Sequence, residues 1–135
     1  MTDLVYLMLF VAAGSAVGGL ARFIVSGLVA RAVGETFPWG TMTVNVTGAF
    51  GIGIVSVLAE SLFYLDRPEA WPLLVTGILG SYTTVSSFSL QTLALARDGQ
   101  MFRAIGNVLL SLLLCLGGVA AGMAAASQLA LWTLP

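Results

Sequence analysis

The sequence predicts an all-α membrane protein with four transmembrane helices, and three observations predict it. Of its 135 residues, 59% are hydrophobic and 8% are charged, with mean hydropathy +1.02; an ordinary soluble domain carries roughly 25% charged residues. Five Arg, no Lys and six Asp or Glu are too few to cover a water-facing surface. Four apolar runs are each near the roughly 20 residues that a helix needs to cross a bilayer. None of them alternates, and hydrocarbon admits only helices or closed barrels.

The first run extends from Leu4 to about Leu28 and encloses Arg22. Its leading Met1-Thr2-Asp3 holds an acid and no basic residue, unlike the start of a cleaved secretory signal, so it is expected to remain as a span. The second runs from about Thr41 to Ala59. The third opens on Trp71-Pro72, where proline suits a first helical turn, and reaches Ala96; the fourth goes from Phe102 to about Leu131. Short connections are expected at Arg31 to Pro38, Phe63 to Ala70 and Arg97 to Met101. The chain therefore reads as one domain, 1–135, with spans near 4–28, 41–59, 71–96 and 102–131.

Composition also excludes functions. A net charge of -1 without Lys offers no counter-ion footprint for nucleic acid. With no His and a single Cys, at position 115, the chain has no Ser-His-Asp triad, no His or Cys metal cluster and no internal disulfide. Enzymatic chemistry is not expected. Cys115 sits in an apolar run and reads as a small buried hydrophobe.

Orientation is weakly encoded. Arg31, Arg97 and Arg103 fall on one side and Arg67 on the other, a bias that favours cytoplasmic first and third loops. So small a bias also admits insertion in both orientations, with two copies paired antiparallel.

Glycines recur at four-residue spacing, Gly14 with Gly18 and Gly118 with Gly122, and Gly48, Gly51 and Gly53 crowd the second span. Such positions let helix backbones approach closely in lipid. Polar residues inside the spans point to function. Asn45 needs a partner or a watery cavity, because a lone amide in hydrocarbon costs a few kcal/mol. An interhelical hydrogen bond and an amide N–H facing a permeating anion are both open. In the third span, Gly77 to Ser89 packs two Gly and six Ser or Thr into thirteen residues. Glycine is a weak helix former and hydroxyls compete for backbone partners, so a helix break with exposed carbonyls, of the kind that holds ions in transporters, stands beside an unbroken packing helix. Ser86, Ser87 and Ser89 line a polar path or return their hydroxyls to the backbone. Phe88 either packs or offers its positive ring edge to an anion. Arg22 either snorkels or faces an aqueous vestibule. Glu60 and Asp66 lie at or beyond a span end, where a solvated interface suits them.

These motifs resemble those of the CrcB family, the small bacterial fluoride channels called Fluc. The likeness rests on Gly18-Gly19-Leu20-Ala21-Arg22-Phe23, on Phe37-Pro38-Trp39-Gly40-Thr41 followed by Val44-Asn45 and Gly48, and on Thr83-Thr84 with Ser86 and Phe88. It covers nearly the whole chain. The resemblance implies a dual-topology homodimer of four-helix subunits in the bacterial cytoplasmic (inner) membrane, with two fluoride pores and one central structural sodium ion. By the same matching, the carbonyls of Gly80 and Thr83 hold the sodium, and Asn45 contacts fluoride. Phe88 presents its ring edge, Thr84, Ser86, Ser87 and Ser111 continue the polar track, and Arg22 lies in a vestibule. The chain departs from the family pattern at four positions: Val85 where a second Phe is usual, Ser81 for Gly, Ile78 for Phe, and Asn107 where Tyr is frequent. Such departures would also suit one half of a heterodimer with a paralogous subunit.

The expected activity is passive export of cytoplasmic fluoride, which relieves its toxicity. A pore for so tightly hydrated an ion must replace water with donors of matched strength. If Asn45 donates to fluoride, Asn45→Asp abolishes flux and Asn45→Ser reduces it. Two other classes remain: a non-transporting membrane subunit, and a proton-coupled exporter of cationic drugs. The exporter requires a membrane-embedded carboxylate, which the sequence lacks.

Overall fold

A computed structural model of the chain describes residues 2–61 and 69–133. They form α1 (Thr2–Val33), α2 (Trp39–Ser61), α3 (Pro72–Leu79), α4 (Gly80–Tyr82), α5 (Val85–Arg97) and α6 (Met101–Thr133). Among the described residues four stretches are long and apolar enough to cross a membrane: Leu4–Val33, Trp39–Ala59, Pro72–Arg97 and Met101–Leu131. The third comprises α3, α4 and α5. The connection at Phe63 to Ala70, with Asp66 and Arg67, lies outside the described residues except for its last two positions, and the side chain of Glu60 is outside them too.

Helix ends follow from local chemistry. The first helix runs past Leu28 through Arg31 and stops at Gly34, whose φ of 82° is open to glycine without steric cost. Its N–H closes on the Ala30 carbonyl at 2.9 Å, so the first connection shortens to residues 34–38. At the other end of the same side, α5 stops at Gly99 (φ 75°). There the N–H groups of Gly99 and Gln100 bond the carbonyls of Ala96 and Leu95 at 3.2 and 2.9 Å, a Schellman closure. Proline opens α3 beside Trp71, where its missing N–H costs nothing.

Two seams hold the bundle. On α1, a methyl at Gly14 would lie 2.5 Å from the Leu73 carbonyl and 3.0 Å from Gly77 Cα, and one at Gly18 would collide with the Ile78 carbonyl and the Ser81 hydroxyl. On α6, Gly118 and Gly122 press on the backbone of α2 at Val46 and Phe50, while Gly53 of α2 presses back on Val119. Glycine at these contacts brings backbone against backbone, which is how helices associate where no hydrophobic effect drives them together. Large apolar side chains, among them Leu9, Leu20 and Leu113, cover the outer faces.

The third span is irregular twice. Within α3 the turns widen: the Gly80 N–H reaches both Gly77 and Val75 carbonyls, the latter five residues back, as in a π-helix. After Tyr82 the helix gives way to extended backbone at Thr83 (φ -80°, ψ 159°) and Thr84 (φ -151°, ψ 114°). It resumes at Val85, capped by the Thr84 hydroxyl, which accepts from the Ser87 N–H at 3.1 Å.

Candidate functional site

Extended residues inside a helical bundle have no ladder, so their backbone groups must find partners elsewhere. Asn45, one turn beyond Thr41 on α2, provides both partners for Thr84. Its Oδ1 accepts from the Thr84 N–H at 2.7 Å, and its Nδ2 donates to the Thr84 carbonyl at 3.0 Å. The amide thus acts as a one-residue β-strand. Of its four hydrogen-bonding capacities, one N–H and one lone pair are left over. Thr84 is 6% exposed, and its hydroxyl is shared with Ser86 and Ser87, each at 3.1 Å. Gly48 makes room for this arrangement, since a methyl there would collide with Thr83 Cγ2.

The Asn45–Thr84 pair stands between two hollows. The larger, about 670 Å³, opens between the 34–38 and 98–100 loops and reaches inward past Ser26 to Thr41 and Ser87. From Asp98 to Ser87 is eleven helical residues, hence a depth of roughly 16 Å at 1.5 Å per residue. Among the residues lining it inward of the loops, Ser26, Thr41, Ser87 and Gln91 offer hydroxyl and amide groups beside the Phe23 ring and Gly27. The smaller, about 380 Å³, is mostly apolar, and its lining includes Asn45, Ile52, Leu79, Gly80, Thr83, Val85 and Cys115. Among the described residues no acid or base lines the smaller hollow, while Glu35, Asp98 and Arg103 line the larger one near its opening.

The sequence-predicted residues therefore fall into groups. Asn45, Thr84, Ser86 and Ser87 are brought together by direct hydrogen bonds. Val85 is 76% exposed and faces the smaller hollow. Phe88 is half-buried and lines neither hollow. Its carbonyl accepts from Thr92 Oγ1 at 2.7 Å, and Thr92 in turn accepts from Asn107 Nδ2 at 2.8 Å. Ser111 is buried on α6, one turn beyond Asn107.

Arg22 is not among the residues lining the larger hollow. Its Nη1 donates to the Thr83 carbonyl at 3.4 Å, placing a cation at the carboxyl end of α4, the negative pole of the first half of the span. Gly80 and Thr83, the expected sodium carbonyls, differ in their surroundings. The Thr84 N–H, which would have continued the helix onto the Gly80 carbonyl, is taken by Asn45; the Thr83 carbonyl is shared with Arg22. The donor set is carbonyl oxygen, which suits a hard cation. Among the described residues no group of three or more His, Cys, Asp or Glu offers an alternative.

Ser81 also has a local task. Its single hydroxyl proton is shared between the Ser15 carbonyl of α1 at 3.0 Å and the Gly77 carbonyl at 2.6 Å, in the space that Gly18 leaves open. Sequence reasoning missed Thr92, Gln91 and the Thr47–Tyr82 hydroxyl pair at 2.9 Å. The spacing of Phe88 and Thr92, i and i+4, was the available signal for the first; the others depend on which helices meet.

The family model described as CrcB-like protein, Camphor Resistance (CrcB), matches residues 9–123. A protein of Rhodopseudomonas palustris (strain BisB18) named fluoride-specific ion channel FluC 2 is 60% identical over 133 residues, 96% of this chain and 100% of that protein. One of Bradyrhizobium diazoefficiens with the same name is 58% identical over 86% of this chain and 85% of its own. The Opitutus terrae protein named fluoride-specific ion channel FluC is 52% identical over 89% of this chain and 92% of its own.

Proposed function

We propose, from the premise that the chain belongs to the CrcB family, that this multi-pass membrane protein is a fluoride-selective ion channel that lets cytoplasmic fluoride leave the cell passively. The observation that carries the reading is the end-to-end likeness to a relative named for fluoride conduction, 60% identical with 100% of its length covered. The chemistry of the site agrees. A small, tightly hydrated anion needs donors in place of water, and Ser26, Thr41, Ser87 and Gln91 bring such donors to the larger hollow. Asn45 adds its uncommitted N–H, and the α5 N-terminus adds the positive end of a 13-residue helix. Among the described residues no fixed charge lines the smaller hollow to trap the ion.

Assembly completes the reading. The smaller hollow is open and apolar, and Val85, Gly80 and Thr83 line it; a second copy in the opposite orientation would cover it. A paralogous subunit is the alternative, favoured by the exposed Val85 where a Phe is usual. The break at Thr83 and Thr84 would then lie near mid-membrane. Gly80 and Thr83 carbonyls from two copies would hold a sodium ion, which would supply a fixed positive charge that ties the breaks together. The membrane is the bacterial cytoplasmic (inner) membrane, and lipid covers the outer apolar faces.

Fluoride efflux from proteoliposomes containing this chain alone, read with a fluoride electrode and with chloride as the control ion, tests the reading. Rapid fluoride-selective release is expected. Silence from a correctly assembled dimer would assign the activity to a pair of unlike subunits or remove it.

A further inference from the structure

The opening of the larger hollow is charged in an orderly way. Glu35 stands on the 34–38 loop, Asp98 on the 98–100 loop, and Arg103 in the first turn of α6. Arg103 joins both loops: its Nη1 donates to Gln100 Oε1 at 2.6 Å and to the Thr36 carbonyl at 3.4 Å. The guanidinium is thereby held at the rim. Both contacts use Nη1, which leaves Nε and Nη2 to meet an incoming anion. Arg31 and Arg97 end the flanking helices but do not line the hollow.

Two carboxylates and one guanidinium give the lining a formal charge of -1, counting Glu35, Asp98 and Arg103. Charges lining the opening of a hollow raise or lower the local concentration of the ions that enter it. An anion must therefore pass a rim where Arg103 alone opposes two like charges. We propose that Arg103 is the residue that admits anions to the vestibule, held in place by Gln100 and Thr36, and that Glu35 and Asp98 set against it limit the rate of entry. The inference rests on the reading of the protein as a fluoride channel and adds to it a residue that controls how fast fluoride arrives.

A charge acting at the mouth changes flux at low fluoride and leaves saturating flux alone, and it fades as salt screens it. The Debye length falls from about 30 Å at 0.01 M to about 3 Å at 1 M. The experiment is initial fluoride efflux from proteoliposomes across a fluoride series, at low and high ionic strength, for the wild-type chain and for R103Q, R103K, E35Q and D98N. At low salt, R103Q is expected to raise the half-saturating fluoride concentration about tenfold. E35Q and D98N should each lower it several-fold, and R103K should stay within about twofold of wild type. All four differences should shrink at high salt, with maximal flux unchanged. A merely structural role for Arg103 would not give opposite signs for the acid variants, nor a salt dependence. If R103Q fails to assemble, E35Q and D98N, both exposed, carry the test by themselves. Unchanged half-saturation in all variants of an active channel overturns the rim inference and leaves the fluoride reading standing; an inactive wild-type chain overturns both.

Discussion

The glycine seams and the hydroxyl-rich break solve opposite problems with similar small residues. Along α1 and α3, and along α2 and α6, glycine removes side chains so that regular helices touch through their backbones. At Thr83 and Thr84 the helix is given up, and side chains must then replace the lost backbone bonds. Asn45 is the principal replacement. In the seams the backbone satisfies itself and packing provides the attraction; at the break one amide and one hydroxyl hold backbone groups that would otherwise be stranded.

That difference orders the effects of substitution. Asn45→Ala strands both the N–H and the carbonyl of Thr84, at about 1–3 kcal/mol for each buried group. It should bring fluoride efflux to the liposome background and lower the midpoint of thermal unfolding in detergent. Asn45→Asp keeps an acceptor for the Thr84 N–H, loses the donor to its carbonyl and adds a charge. It is expected to lose flux equally, with a loss of stability at least as large, because the new carboxylate oxygen faces the Thr84 carbonyl. Wild-type stability in Asn45→Ala would show that the clamp contributes nothing.

A seam can be broken more simply. Gly18→Ala drives a methyl into the Ile78 carbonyl and the Ser81 hydroxyl, and overpacking against backbone costs about 1–3 kcal/mol. Gly19→Ala, one residue on, meets nothing within 4 Å and should be neutral or favourable by up to about 1 kcal/mol. Thermal unfolding of the two variants side by side separates packing from propensity; equal midpoints would contradict the seam.

Smaller effects sharpen the picture at the edges of the break. Asn107 is 1% exposed, and Asn107→Ala removes its bond to Thr92 and with it one link between α6 and α5. A loss of about 1 kcal/mol is expected, with a measurable drop in flux if the Phe88 turn loosens. Ser81→Gly removes the hydroxyl link to the Ser15 carbonyl of α1 and should cost no more than about 1 kcal/mol, seen in the same unfolding assay. A larger loss would mean that this hydroxyl, rather than glycine packing, governs the seam.

Hydropathy, run length and the scarcity of charge were sufficient to read four apolar helices from the sequence, because the bilayer fixes the length and polarity of anything that crosses it. The pairing of small residues was equally legible, since four-residue spacing marks one helix face. The order of Gly18-Gly19-Leu20-Ala21-Arg22-Phe23, Val44-Asn45 and Thr83-Thr84 was enough to recognise the family. What Asn45 and Arg22 touch was decided by the tertiary structure alone. Asn45 meets Thr84 across 39 residues and Arg22 meets Thr83 across 61, and no local rule links positions so far apart. The sequence left Asn45 open between an interhelical bond and an anion contact. In the folded chain its amide makes that bond with Thr84 twice over, and one N–H is still uncommitted. The rim around Arg103 was likewise invisible until the 34–38 and 98–100 loops were brought to one mouth, because charge acts through space and its neighbours there come from separate helices.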